Sequence, residues 1–199
     1  MVILIFVKAF LALVTTMIWP VIPLMWIPVH FVTGFFRRLG RLTYLFVAVS
    51  WFSAAYLIFL RREMILSYQL EFSPVLNIAG LLLLAAGTML HIWTAALLTF
   101  PGIVGIHEIS EPQKSSLVEK GPFAVVRHPT YLAHTLMFLG VFLFTGFPAT
   151  GFLTLADFIV VASVVIPLEE RELLQRFGMH YREYMNKVPR FIPRMPRKS

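Results

Sequence analysis

The chain has 199 residues, of which 58% are apolar and 14% charged, with a formal net charge of +7 and a mean hydropathy of +0.79. Soluble domains carry about 25% charged residues, so this composition excludes an ordinary soluble domain and indicates an integral membrane protein with little room for a separate soluble part. Cysteine is absent, which excludes disulfides, thiolate metal sites and cysteine nucleophiles. The basic residues are scattered along the flanks of apolar segments, a pattern that argues against nucleic acid as a partner.

Apolar segments run over 2–33, 42–60, 74–100, 130–147 and 151–168. Five spans are predicted, all helical, because one helical crossing takes ~20 residues. The first segment has no small-residue cleavage site after a short core and reads as a retained span. Its Pro20, Pro23 and Pro28 remove backbone donors and predict a break or kink. It forms either one broken span or a span plus an interfacial piece, since two crossings need ~40 residues. The segment 101–128 is the main irregular loop, with breakers at Pro101-Gly102 and Glu111-Pro112 and a turn at Gly121-Pro122. After the fifth span, residues 168–188 predict an amphipathic helix. Leu174, Phe177, Tyr181, Tyr184, Met185 and Val188 recur at steps of three and four, and Pro189 ends the run. Such a helix lies on the bilayer surface or covers a pocket. The whole chain, 1–199, reads as a single membrane domain, with N-terminal spans over 1–73 and a core that carries the pocket over 74–199.

Lysine and arginine counts set the orientation. Arg37, Arg38 and Arg41 lie between spans one and two; Lys114, Lys120 and Arg127 lie between three and four; eight more basic residues follow Leu168. The opposite side holds Lys8, Arg61 and Arg62 alone. The positive-inside rule places the N-terminus outside and the C-terminus in the cytoplasm.

Two polar motifs stand out. Arg127-His128-Pro129-Thr130-Tyr131 precedes the last two spans and Glu169-Glu170 follows them. Between Leu132 and Leu168 the only ionisable side chains are His134 and Asp157. Two short spans turning back at Gly146-Phe147-Pro148 return the chain to the side it left, so the motifs are expected to meet on the cytoplasmic face. For an isolated pair of glutamates at a membrane boundary the plainer reading is two solvated side chains; facing a cationic and aromatic motif, they read as a site.

The run Gly121-Pro122-Phe123-Ala124-Val125-Val126-Arg127-His128-Pro129-Thr130-Tyr131 resembles the membrane methyltransferases that include isoprenylcysteine carboxyl methyltransferase and phosphatidylethanolamine N-methyltransferase. The second block resembles them too: Glu169-Glu170-Arg171-Glu172-Leu173-Leu174, Phe177-Gly178, Tyr181, Tyr184 and Val188-Pro189-Arg190-Phe191-Ile192-Pro193. The resemblance covers residues 117–193. Membrane sterol reductases share a related C-terminal pattern, so it points to a pocket more firmly than to a reaction. It implies S-adenosylmethionine as cofactor, with Glu169 and Glu170 both concerned in binding it.

The residue types suit that cofactor. A glutamate can accept charge-assisted bonds from its ammonium or ribose hydroxyls. Neighbouring helical residues point about 100° apart, so one of Glu169 and Glu170 is expected to reach the cofactor while the other orients it or pairs with Arg127. His128 can donate to a carboxylate or a ribose oxygen. Pro129 suits the first position of a helix, whose free donors favour an anion. Tyr131 offers a ring face to adenine or to the sulfonium, or is an aromatic-belt residue. Gly121 permits close backbone approach. Arg127 and Arg190 can hold a substrate carboxylate or phosphate, or lipid headgroups.

Of the other polar residues, Asp157 reads as a structural hydrogen-bonding group. His134, one turn below Tyr131, is a candidate for the pocket floor, and His91 lies within span three. Metal ligation is not expected, because no two histidines share a helix at the i, i+4 spacing with a carboxylate ligand. Three functions remain open. The first is methyl transfer to a lipid-like or prenylated acceptor. The second is nicotinamide-dependent reduction of a sterol-like or polyprenyl lipid. The third is lipid binding without catalysis. A carboxylate acceptor needs no base and an amine does; no residue is an obvious base, which leans toward a carboxyl-type or already neutral acceptor.

Overall fold

In the computed structural model, residues 2–40, 42–103 and 116–193 are described, with the side chains of 100–103 outside that description. Arg41, Glu111-Pro112, Lys114, Arg194, Arg197 and Lys198, used above for the loop and the orientation, lie outside the described residues. Among the described residues the fold is all helical: α1 (Val2–Ile18), α2 (Ile27–Phe31), α3 (Thr33–Leu39), α4 (Leu42–Leu60), α5 (Arg62–Ile65), α6 (Pro74–Ile103), α7 (Pro129–Thr145), α8 (Pro148–Val160), α9 (Ile166–Phe177) and α10 (Met179–Lys187).

Four helical stretches are long and apolar enough to cross a membrane: Val2–Phe31, Leu42–Leu60, Pro74–Thr99 and Pro148–Phe177. The shorter apolar α7 has 17 residues, roughly 26 Å at the rise of an α-helix, slightly less than a typical hydrocarbon core. Large apolar side chains point outward along these helices, among them Phe6, Phe10, Phe52, Phe59, Leu82 and Met89. They suit hydrocarbon as their solvent.

The first apolar segment breaks where its first proline stands: α1 ends at Ile18 and Trp19-Pro20 form a turn. A wide π-type turn over Ile22–Trp26 follows and leads into α2. A second π turn, Val161–Val165, joins α8 to α9 ahead of Pro167. The break in the third span falls at Thr99 (φ 61°, ψ 168°), two residues before Pro101, and helical backbone resumes up to Ile103. The amphipathic tail is also divided: Gly178 at φ 56° separates α9 from α10, a left-handed value that glycine adopts without steric cost.

The α7–α8 hairpin closes at the far end, where Leu70 N donates to Gly146 O (2.8 Å) and Gln69 Nε2 to Thr145 O (2.7 Å). Its stem is held by α6, which lies along α7 at near backbone contact. A Cβ on Gly140 would stand 2.5 Å from Leu84 N, and one on Gly80 2.6 Å from Phe144 N. Small residues at such a seam allow the close van der Waals packing on which helix association in lipid depends. α1 also packs on α7 and α8, pinned by Trp19 Nε1 donating to Asp157 Oδ1 at 3.1 Å. Asp157 thus ties the first span to the fifth, the structural part expected for it.

Candidate active site

The hairpin brings the two motifs together. Glu170, 4% exposed, is the centre. Its Oε1 accepts from Arg127 Nε (3.1 Å) and Nη2 (2.8 Å), from Arg190 Nε (3.2 Å) and from His128 Nε2 (3.1 Å). Its Oε2 accepts from Arg190 Nη2 at 2.5 Å. A carboxylate can only accept, so the His128 contact carries its proton on Nε2.

Local backbone sets up this cluster. Gly121–Ala124 form a single 3₁₀ turn, with Gly121 at φ 60°. A Cβ on Gly121 would come 2.9 Å from Leu97 and 3.3 Å from the Trp93 indole nitrogen, so both its dihedral and its closeness to α6 call for glycine. The strand-like pairing of Arg127 N with Pro189 O (2.8 Å) and His128 N with Arg190 O (3.3 Å) stitches the two motif-bearing segments side by side. Arg127 also donates from Nη1 to Met185 O (2.9 Å) and to Val188 O, neutralising the carbonyl end of α10. Tyr184 OH donates to Phe123 O at 2.6 Å, locking α10 to the 3₁₀ turn. Burial raises the Tyr184 hydroxyl above the ordinary phenol range, and burial with the nearby Glu170 and Glu169 raises Tyr181. Glu170 raises Arg190.

Beside the cluster lies a cavity of about 740 Å³. Glu169, His128, Arg127 and Tyr131 line it, with Arg176, Tyr181 and Tyr184 at the same end. Glu169 Oε2 is buried without a hydrogen bond, 3.7 Å from His128 Nδ1. The twin glutamates therefore face different ways: Glu170 into the arginine–histidine cluster, Glu169 along the far side of His128 at the cavity wall. Pro129 begins α7 at its first turn and is fully buried. Gly121, Pro129, Glu170 and Arg190 support the wall from behind and do not line it. Arg127 and Arg190, expected to hold a substrate anion, both bond the buried carboxylate of Glu170, while Arg127 also lines the cavity and Arg190 stays 47% exposed.

Residues 75–180, just over half of the chain, match the phospholipid methyltransferase family. The chain belongs to that family. A curated relative, the cobalt-zinc-cadmium resistance protein CzcN of Cupriavidus metallidurans, is 32% identical over 124 residues, 62% of this chain and 51% of that protein. The chain spans about half the length of that relative. No solved structure matches it.

This phospholipid methyltransferase family member also uses residues that sequence reasoning passed over. The opposite end of the cavity is apolar, formed by Leu11, Leu84, Met137, Phe138 and Val141. Part of its wall, including Trp19, Ile22 and Trp26, comes from the first span, ahead of the family match. Arg176, 11% exposed and 3.3 Å from Glu172, was counted only as one of the tail's basic residues. The periodicity of the tail carried its signal, since Leu173, Arg176 and Phe177 share the face that lines the cavity.

Proposed function

We propose that the protein transfers a methyl group from S-adenosylmethionine to a lipid-like or prenylated acceptor, at a carboxyl oxygen or an amine nitrogen. The observation that carries this reading is one continuous cavity with a polar end and an apolar end. A cofactor with ammonium, carboxylate and ribose groups suits the polar end, and an acyl or prenyl chain suits the other. Glu169 accepts from the ammonium or the ribose, and His128, whose proton on Nε2 is given to Glu170, accepts from a cofactor hydroxyl at Nδ1. Tyr131 presents its ring to the sulfonium. Gly121 and Pro129 shape the loop and helix start behind the cofactor. Glu170, Arg127 and Arg190 are positioning residues that hold α9 and the segment 127–128 in register.

Methyl transfer is a direct in-line displacement, so catalysis rests on holding the two reactants in line and excluding water. The acceptor enters from the bilayer between α1 and α6, which both border the cavity. The basic flanks place the polar end on the cytoplasmic side, and residues 1–73 and 74–199 act as one unit because the first span supplies a wall of the cavity.

The test is calorimetric titration of S-adenosylhomocysteine into the purified protein. Saturable heat is expected, and Glu169→Gln should weaken binding ~10- to 150-fold, the equivalent of one charge-assisted hydrogen bond. No heat, or an affinity indifferent to Glu169, refutes the assignment. Incubation with labelled S-adenosylmethionine and a total lipid extract then identifies the acceptor by mass.

A further inference from the structure

Two histidines inside the cavity are not used by the reading above. His91 on α6 and His134 on α7 face each other with ring centroids 4.9 Å apart and planes tilted by 40°. The glycine seam brings them together: at Gly87, one turn before His91, a Cβ would stand 2.9 Å from Ala133 O. Both rings line the cavity. The Nδ1 atoms of both are buried and lack a hydrogen-bond partner. Buried polar atoms are nearly always paired, and two orphans on adjoining rings that face a cavity mark a place where a ligand group belongs.

Their position is informative. Along α7 the side chains His128, Tyr131, His134 and Phe138 rise one turn at a time, with His134 at 6.3 Å from both Tyr131 and Phe138 ring centroids. His128 belongs to the polar end and Phe138 to the apolar end. His134 and its partner stand at the junction, where the head of an acceptor lying in the apolar end would meet the methyl donor.

We propose that the His91–His134 pair is the proton acceptor for an amine acceptor, making nitrogen the methylated atom. This rests on the methyl-transfer reading. A neutral imidazole takes one proton from the acceptor's ammonium. The freed nitrogen pair forms the new N–C bond as the C–S bond breaks and its electrons stay on sulfur, leaving a neutral thioether. The methylated nitrogen carries the charge that the sulfonium lost, and the imidazolium proton passes to water as product leaves. The second ring, in van der Waals reach of the first, shares the proton while the site is closed. Among the described residues the other ionisable side chains on this wall are Arg127, His128 and Tyr131, Glu169 and Arg176, and Tyr181 and Tyr184; α1 contributes none. Of these, His128 is bonded to Glu170 and Tyr184 to Phe123 O, and Glu169 is assigned to the cofactor; the histidine pair stands at the junction itself.

The experiment uses the full chain in vesicles containing a primary-amine phospholipid and, separately, a farnesylated cysteine carboxylate, each with labelled S-adenosylmethionine. Label on the amine is expected. His134→Phe and His91→Phe should each lower kcat at neutral pH by ~100-fold or more, the usual weight of a general base, with S-adenosylhomocysteine affinity unchanged. The loss should shrink as pH rises and free amine accumulates without help, a recovery that a packing defect does not produce. His134→Gln, which keeps a polar side chain without a base, should behave as His134→Phe and serves where the phenylalanine variant does not bind S-adenosylhomocysteine. Label on the carboxylate alone, full activity in the variants, or a loss equal at every pH overturns the proposal. Absence of S-adenosylhomocysteine binding in the parent overturns the methyl-transfer reading itself.

Discussion

The sharpest consequence of the geometry is that the adjacent glutamates fail in different ways when neutralised. Glu170→Gln removes a charge from a side chain that is 5% exposed and leaves the 8% exposed Arg127 guanidinium facing it. Breaking one side of a buried pair costs about 3–5 kcal/mol. Arg127 keeps its bonds to Met185 O and Val188 O, which places the cost in the lower half of that range. Arg190, 47% exposed, adds no more than ~1 kcal/mol, since water screens a surface pair. The amide NH₂ of the new glutamine also meets donors where the carboxylate met them. A loss near 3 kcal/mol lowers the melting temperature of a chain of this size by roughly 6–12 °C. Glu169→Gln removes a carboxylate that holds no hydrogen bond through Oε2, and its melting temperature should change by less than ~2 °C. The assay is a thermal melt of each variant in detergent with and without S-adenosylhomocysteine. The expected pattern is a low melting temperature with a preserved ligand-induced rise for Glu170→Gln, and a normal melting temperature with a much reduced rise for Glu169→Gln. The reverse pattern refutes the division of roles.

Three further outcomes follow from the same structure. Tyr184→Phe strands the buried Phe123 carbonyl and should cost ~1–3 kcal/mol, read as an earlier melt together with weaker S-adenosylhomocysteine binding. Gly140→Leu drives a side chain into the backbone of α6, where even a Cβ would lie 2.5 Å from Leu84 N. It should fail to yield a monodisperse protein in detergent, whereas Leu82→Ala on an outward-facing position should yield a normal one. Tyr181 and Tyr184 have raised folded-state values. Their neutral forms therefore stabilise the fold fully below the ordinary phenol value near 10, a contribution lost only as pH climbs above it. Absorbance titration at alkaline pH should show Tyr181 and Tyr184 ionising above the ordinary phenol range, a step that Tyr181→Phe and Tyr184→Phe each diminish.

Much of this arrangement was readable from residue order. Span number followed from apolar lengths. The meeting of His128 with the glutamates followed from parity, because an even number of crossings returns the chain to one face. What escaped depended on contacts between helices. The break expected at Pro20 is present, since α1 ends at Ile18, but the π turn after it was not readable, because there Ile22 packs against Tyr131, Val161, Val165 and Ile166 from distant helices. The seam of Gly80, Gly87 and Gly140 was written in the spacing, yet glycines in apolar runs are common enough that only the neighbour gives them meaning. The facing of His91 and His134 was not readable because they are 43 positions apart on different helices, and the proposed amine acceptor, unlike the carboxyl-type acceptor toward which the sequence leans, rests on that contact.

Why the glutamates are adjacent now has a physical answer. A helix that continues a membrane span is free to rotate about its axis unless something beyond the bilayer fixes it. Five hydrogen bonds to Glu170 from Arg127, His128 and Arg190 fix the azimuth of α9. The next residue back points about 100° away, which turns Glu169 into the cavity. Adjacency thus converts a structural anchor into an aiming device: the charge that binds the clamp sets the direction of the charge that faces the cavity. Glu170→Gln alone keeps an acceptor oxygen in the clamp and with it the azimuth; moving the anchor one residue along, as in the double change Glu170→Gln with Arg171→Glu, offers the arginines a carboxylate about 100° away and turns α9. It should abolish S-adenosylhomocysteine binding although Glu169 itself is untouched, and retention of full affinity would show that the clamp does not aim it.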